Sequence, residues 1–122
     1  MVAPDNPAYT SVSGCLVTND GQTLMRGTPA GFIPAGVTRI GQDAFSGFSS
    51  ITDIVIPNGV KSIGKDAFTS CAALTQVEFP DSVRMIGKNA FLGCELLKSV
   101  TLPRGSRYES NSFPEDCQID LR

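Results

Sequence analysis

Three successive units of 23 residues align in this chain without a gap. They are Pro34–Ile56 (PAGVTRIGQDAFSGFSSITDIVI), Pro57–Phe79 (PNGVKSIGKDAFTSCAALTQVEF) and Pro80–Leu102 (PDSVRMIGKNAFLGCELLKSVTL). Six columns are identical in all three: Pro34/Pro57/Pro80, Val37/Val60/Val83, Ile40/Ile63/Ile86, Gly41/Gly64/Gly87, Ala44/Ala67/Ala90 and Phe45/Phe68/Phe91. No unit of this size can bury its own apolar residues. Repetition at this period therefore means coils that stack, each sealing the next, into a solenoid.

Each column has a physical role in such a stack. The unit tails Ile51-x-x-Ile54-x-Ile56, Leu74-x-x-Val77-x-Phe79 and Leu97-x-x-Val100-x-Leu102 carry the apolar spacing of a leucine-rich repeat, with a short strand pointing alternate residues inward. The Pro that follows lacks an N–H and fixes φ, so it ends the strand. Val-x-x-Ile supplies a second inward pair on the opposite wall. The Gly after it marks either a positive φ or a close approach of backbones. Ala-Phe fills the interior, each ring over the ring of the next coil.

The cysteines follow the same period. Cys71, Cys94 and Cys117 are each 23 residues apart, and Phe48 holds the equivalent place in the first unit. Zinc ligands come in pairs two to four residues apart, which is not this pattern. A small, buried, reduced thiol suits the column, although neighbours one coil apart lie within disulfide range. A fourth unit opens at Pro103 but carries Ser106 and Glu109 where Val and Ile are expected.

Composition narrows the function. Ten basic and twelve acidic side chains leave a net charge of −2, which argues against a general nucleic-acid binder. The absence of histidine removes the commonest general base and metal ligand. Calcium-binding repeats use dense Asp/Gly runs, which are missing. No apolar run approaches the length of a membrane span, and Met1–Tyr9 has no signal-peptide character. These features predict a protein that is not an enzyme and needs no metal or cofactor.

The phrase Pro-x-x-Val-x-x-Ile-Gly-x-x-Ala-Phe-x-x-Cys-x-x-Leu-x-x-Val is met at every position in Pro57–Phe79 and Pro80–Leu102. Pro34–Ile56 departs at Phe48 and Ile51, and has Ile54 for the last Val. It resembles the BspA-like (treponemal-type) leucine-rich repeats. Cys15 to Ile33, with Asn19-Asp20-Gly21 as a hairpin signal, resembles the lead-in to such arrays. The expected fold is a β-rich leucine-rich repeat solenoid with a short parallel sheet and 3-10 or turn segments. It divides into an N-terminal cap with a β-hairpin (1–33), three repeats (34–56, 57–79, 80–102) and a degenerate repeat with a C-terminal cap (103–122). The resemblance implies an extracellular or cell-surface interaction or adhesion module whose partner is a protein, a host surface or matrix protein being the type. The runner-up is a structural spacer or self-assembling element, monomeric or weakly associated end to end.

Two surfaces are candidates for binding. The non-core strand residues Asp53, Val55, Gln76, Glu78, Ser99 and Thr101 form one exposed face, with Thr52, Thr75 and Lys98 at its margin. Lys61, Arg84 and Arg107 recur at 23-residue intervals with Lys65 and Lys88 beside them, a basic stripe suited to an anionic glycan or lipid headgroup. Asp43, Asp66 and Asp81 lie close to it in sequence. The seven Phe and two Tyr are mostly claimed by the core, which weighs against carbohydrate recognition on aromatic rings.

Overall fold

The computed structural model describes residues 9–12, 14–109 and 111–122, with the side chains of Tyr9 and Thr10 excepted. The reading of the N-terminal leader, Tyr9 apart, lies outside them. Among the described residues there is no helix. The elements are β1 (Tyr9–Val12), β2 (Cys15–Thr18), β3 (Thr23–Arg26), β4 (Arg39–Ile40), β5 (Asp53–Val55), β6 (Ser62–Ile63), β7 (Gln76–Glu78), β8 (Met85–Ile86), β9 (Ser99–Leu102), β10 (Arg107–Tyr108) and β11 (Gln118–Leu121). They make a solenoid of about four turns.

One wall is a seven-stranded sheet in the order β1-β2-β3-β4-β6-β8-β10. The first three strands run antiparallel, with β2 and β3 joined across Asn19–Gln22, and from β3 onward every pairing is parallel. Leu24, Ile40, Ile63, Ile86 and Tyr108 share one register, so the hairpin supplies the coil that covers the first repeat. The facing wall consists of two parallel pairs, β5–β7 and β9–β11. The core lies between the walls, and the Val, Ile, Ala and Phe columns of the three repeats are all buried in it.

The rings form a continuous column. Phe45 and Phe68 stack at 5.0 Å and Phe68 and Phe91 at 4.9 Å, each pair within 2° of parallel. Stack spacing follows strand spacing, since consecutive coils are held about 4.8 Å apart by the sheet. At the N-terminal end the column is closed by main chain: a Cβ on Gly27 would stand 2.1 Å from the Phe45 ring. Phe48, the aromatic in the cysteine column, is half-buried with the Arg26 guanidinium 4.5 Å above its ring.

The repeated glycine belongs to the second of the two alternatives. A Cβ on Gly64 would meet Ile40 O at 2.8 Å and Gly41 C at 2.9 Å, and one on Gly87 would meet Lys65 N at 2.7 Å. Positive φ falls two residues later, on Asp43 (61°), Asp66 (59°), Asn89 (61°) and Asn111 (60°), residue types that accept the left-handed region at low cost. Ala44, Ala67 and Ala90 each donate to the carbonyl of the glycine three residues back. The left-handed residue inside each such turn stops it from growing into a 3-10 helix, so the connections are turns throughout the described residues.

Cys71 and Cys94 are buried, and each thiol donates to a phenylalanine carbonyl of the preceding coil, Phe45 O and Phe68 O, both at 3.1 Å. All four cysteines are free. The adjacent Cys71 sulfur and burial push the Cys94 thiol far above the usual thiol range. Cys117 does not belong to this column. The fourth coil is shortened, first by one residue, since Phe113 stacks on Phe91 at 5.2 Å from 22 positions on, and then further, since Gln118 pairs with Ser99 from 19 positions on. Cys117 therefore sits half-buried at the entry to β11, and its 23-residue distance from Cys94 is coincidental.

Candidate binding face

Alternation along β5, β7 and β9 decides which side chains are available. Ile54 and Val100 point inward and are buried, while Asp53, Val55, Gln76, Glu78, Ser99 and Thr101 point outward and are exposed. Parallel register lines these up coil by coil, with Asp53 beside Gln76 and Val55 beside Glu78. All six line a single groove of about 450 Å3. At the margin the Thr75 hydroxyl donates to Thr52 O at 3.0 Å, and the Thr52 hydroxyl donates to the Asp53 carboxylate at 2.7 Å. Lys98 is tied to Asp116 at 2.7 Å, which holds the Asp116 carboxyl below the ordinary range.

The groove exists because this wall is split. The β5–β7 and β9–β11 pairs are hydrogen-bonded within themselves, but no ladder joins β7 to β9, and Val77 is only half-buried where Ile54 and Val100 are covered. Arg122 bridges the split. Its guanidinium donates to Phe79 O and to Thr101 O (3.3 Å) and forms an ion pair with Asp81 at 3.0 Å. It thus satisfies carbonyls on both sides of the seam, where a strand ladder otherwise supplies the donors.

Three contributors to the face escaped the sequence. Gln118 and Asp120 on β11 are exposed and stand beside Ser99 and Thr101. The signal was present in the Gln118-Ile119-Asp120-Leu121 alternation, which matches Ser99-Val100-Thr101-Leu102 once the shortened coil is allowed for. Arg122 carried no such signal. With Asp53, Glu78 and Asp120, the face has an acidic cast, and Arg122 is the cation lining its groove.

On the opposite wall Lys61, Arg84, Lys65 and Lys88 are exposed, and Arg84 N donates to Lys61 O at 2.8 Å across adjacent coils. Arg107 is displaced from their column. It pairs with Met85 rather than with Arg84, because the missing residue of the fourth coil moves it forward by one position. It therefore continues the outward row Thr23, Arg39, Ser62 and Met85. Among the described residues no group of three or more His, Cys, Asp or Glu is arranged to hold a metal, and no helix is long and apolar enough to cross a membrane.

The pattern described as BspA type leucine-rich repeat region (6 copies) matches residues 31–121. The chain belongs to the BspA-type leucine-rich repeat family. A leucine-rich repeat protein of Bacteroides capillosus is similar along nearly its whole length, with 26% identity, a TM-score of 0.82, and 94% of this chain and 99% of that chain covered. A leucine-rich cell surface protein of Faecalibacterium prausnitzii shares the fold at 24% identity and a TM-score of 0.64, covering 96% of this chain and 40% of that one. The T. pallidum leucine-rich repeat protein does so at 23% and 0.67, covering 99% and 64%. No curated protein matches by sequence. Membership of this BspA-type family points in general terms to protein interaction or a cell-surface role, and its members are typically non-enzymatic.

Proposed function

We propose that this chain is a non-enzymatic interaction and adhesion module of a secreted or cell-surface protein, and that a protein partner docks on the β5–β7–β9–β11 face. The observation that carries this reading is the groove, into which all six outward strand residues converge while serving no core role. Its acidic cast favours a partner segment rich in Lys or Arg. The rigid stack presents these groups with little reordering cost on binding. A host surface or matrix protein is the type of partner we propose.

The test is affinity capture from host-cell surface and matrix extracts with the wild-type chain beside an Asp53→Lys, Glu78→Lys variant. A protein retained by the first and lost by the second supports the face. Equal or empty eluates overturn it. The competing spacer reading draws on the C-terminal end, where β10 and β11 are outer strands and Tyr108 and Leu121 are exposed. Mass rising with concentration in sedimentation, with empty eluates, would favour it.

A further inference from the structure

We propose that the wall carrying β4, β6, β8 and β10 binds a linear sulfated polysaccharide along the coil axis, independently of the groove face. Arg39, Lys61, Lys65, Arg84, Lys88 and Arg107 are all exposed there. No acidic residue occupies these four strands or the residue preceding each. Among the described residues the ion pairs are Lys98–Asp116 and Arg122–Asp81, so none of the six cations is held in one.

The arrangement works against the fold. Lys61 and Arg84 occupy one column in adjacent coils, and Lys65 and Lys88 another. Coils lie about 4.8 Å apart, and like charges in the same position of adjacent coils, beside the strands at Lys61 and Arg84 and in the turns at Lys65 and Lys88, repel each other. A chain of net charge −2 does not need these cations for solubility. The acids nearby have a backbone reason instead: Asp43 and Asp66 occupy the left-handed position at the turn, and the third and fourth coils fill it with Asn89 and Asn111. At that turn position the carboxylate gives way to asparagine in the third and fourth coils, where Asp81 is paired with Arg122 and Glu109, exposed after β10, is the acid left on this wall's C-terminal end.

Two pairs of cations, Lys61/Arg84 and Lys65/Lys88, stand one coil apart with Arg39 and Arg107 on either side, and this spacing matches a polymer whose charges also repeat. Sulfate esters stay ionised at every physiological pH, and their oxygens accept from guanidinium and ammonium groups alike. The wall offers no succession of aromatic platforms for unstacked bases, Tyr108 being its exposed ring at one end, so single-stranded nucleic acid is a poorer fit.

The probe is immobilised heparin, with the full chain applied at low salt. The comparison is a Lys61→Thr, Lys65→Gln, Arg84→Ser, Lys88→Gln variant. Wild type should be retained and eluted by salt, and the variant should pass through. The slope of log Kd against log salt should become shallower by about 3 to 4. The variant should melt at the same temperature or higher, which separates lost binding from lost folding. A Ser99→Ala, Thr101→Ala variant should bind heparin normally, so that failure here is distinct from failure of the groove reading. Equal elution of wild type and the quadruple variant, or passage of wild type through the column, overturns the proposal. So does tighter binding to duplex DNA or to phosphatidylserine vesicles than to heparin.

Discussion

Replacing Gly64 and Gly47 by the same residue, serine, separates the two demands that this fold makes on glycine. At Gly64 the new Cβ would meet three main-chain atoms of the preceding coil, Ile40 O at 2.8 Å and Gln42 N and Gly41 C at 2.9 Å. None can rotate away, so the coils must part. That strains the Gly64 N to Ile40 O bond (2.7 Å) and the Phe45 N to Ala67 O bond (2.7 Å) on either side of the contact. Overpacking of this kind costs roughly 1–3 kcal/mol, and two weakened backbone bonds add about 1 kcal/mol each. At Gly47 the Cβ has nothing within 4 Å, and the cost is confined to its φ of 80°. The equivalent residue of the next coil is Ser70, already a serine at φ 63°, so the penalty should stay near the low end of the roughly 1–2 kcal/mol for a left-handed residue. Urea unfolding followed by circular dichroism should therefore place Gly64→Ser about 3–5 kcal/mol below wild type and Gly47→Ser about 1 kcal/mol below it. Equal losses would refute the claim that backbone contact between coils, rather than φ, fixes the repeated glycine.

Two further outcomes follow from the packing. Because the folded state raises the Cys94 thiol, its contribution is complete below the unfolded thiol pKa of about 8.5 and is lost as pH rises beyond it, at about 1.4 kcal/mol per pH unit; urea melts at increasing alkaline pH should show this slope on top of that from Cys15 and Cys117, which burial also raises, and Cys94→Ala should lessen it by that amount, an unchanged slope refuting the assignment. Arg122→Ala should open the seam between β7 and β9, so that amide exchange quickens about tenfold in Gln76–Phe79, as for the loss of one charged hydrogen bond, with Ser62–Ile63 on the far wall unaffected. Equal exchange in both segments would mean that Arg122 does not close the split.

The first three coils were legible because each repeated residue acts within its own coil or on its immediate neighbour. Pro57 ends a strand, Val60 and Ile63 turn inward, and Phe68 finds Phe45 and Phe91 at the strand spacing. The fourth coil was not legible, because a fixed period carries no information about deletions. Strict spacing put Cys117 in the thiol column and Arg107 in the basic one, whereas Phe113 and Gln118 show where residues were lost. The Asp43–Asp66–Asn89 column reads as charge in the sequence and as a left-handed turn in the structure. Only its third member, an asparagine, hints that the backbone rather than the carboxylate is the requirement.

The outward strand residues were also legible, since alternation alone excludes them from the core. The groove was not, because it depends on a missing ladder between β7 and β9 and on an arginine arriving from beyond the last strand. The two walls then differ in a way that bears on what each can bind. Along the groove face the outward positions run Asp53, Gln76, Ser99, Gln118 and Val55, Glu78, Thr101, Asp120. The core beneath repeats, but these side chains do not. A non-repeating mosaic discriminates among irregular surfaces, which is what a folded protein or a particular peptide presents. On the other wall the cations recur in register between the second and third coils, and a surface that repeats its charge does not select one irregular partner. It can hold a polymer that repeats with it. On these two proposals one solenoid has two binding logics, separated by whether the residues outside the core follow the period or break it.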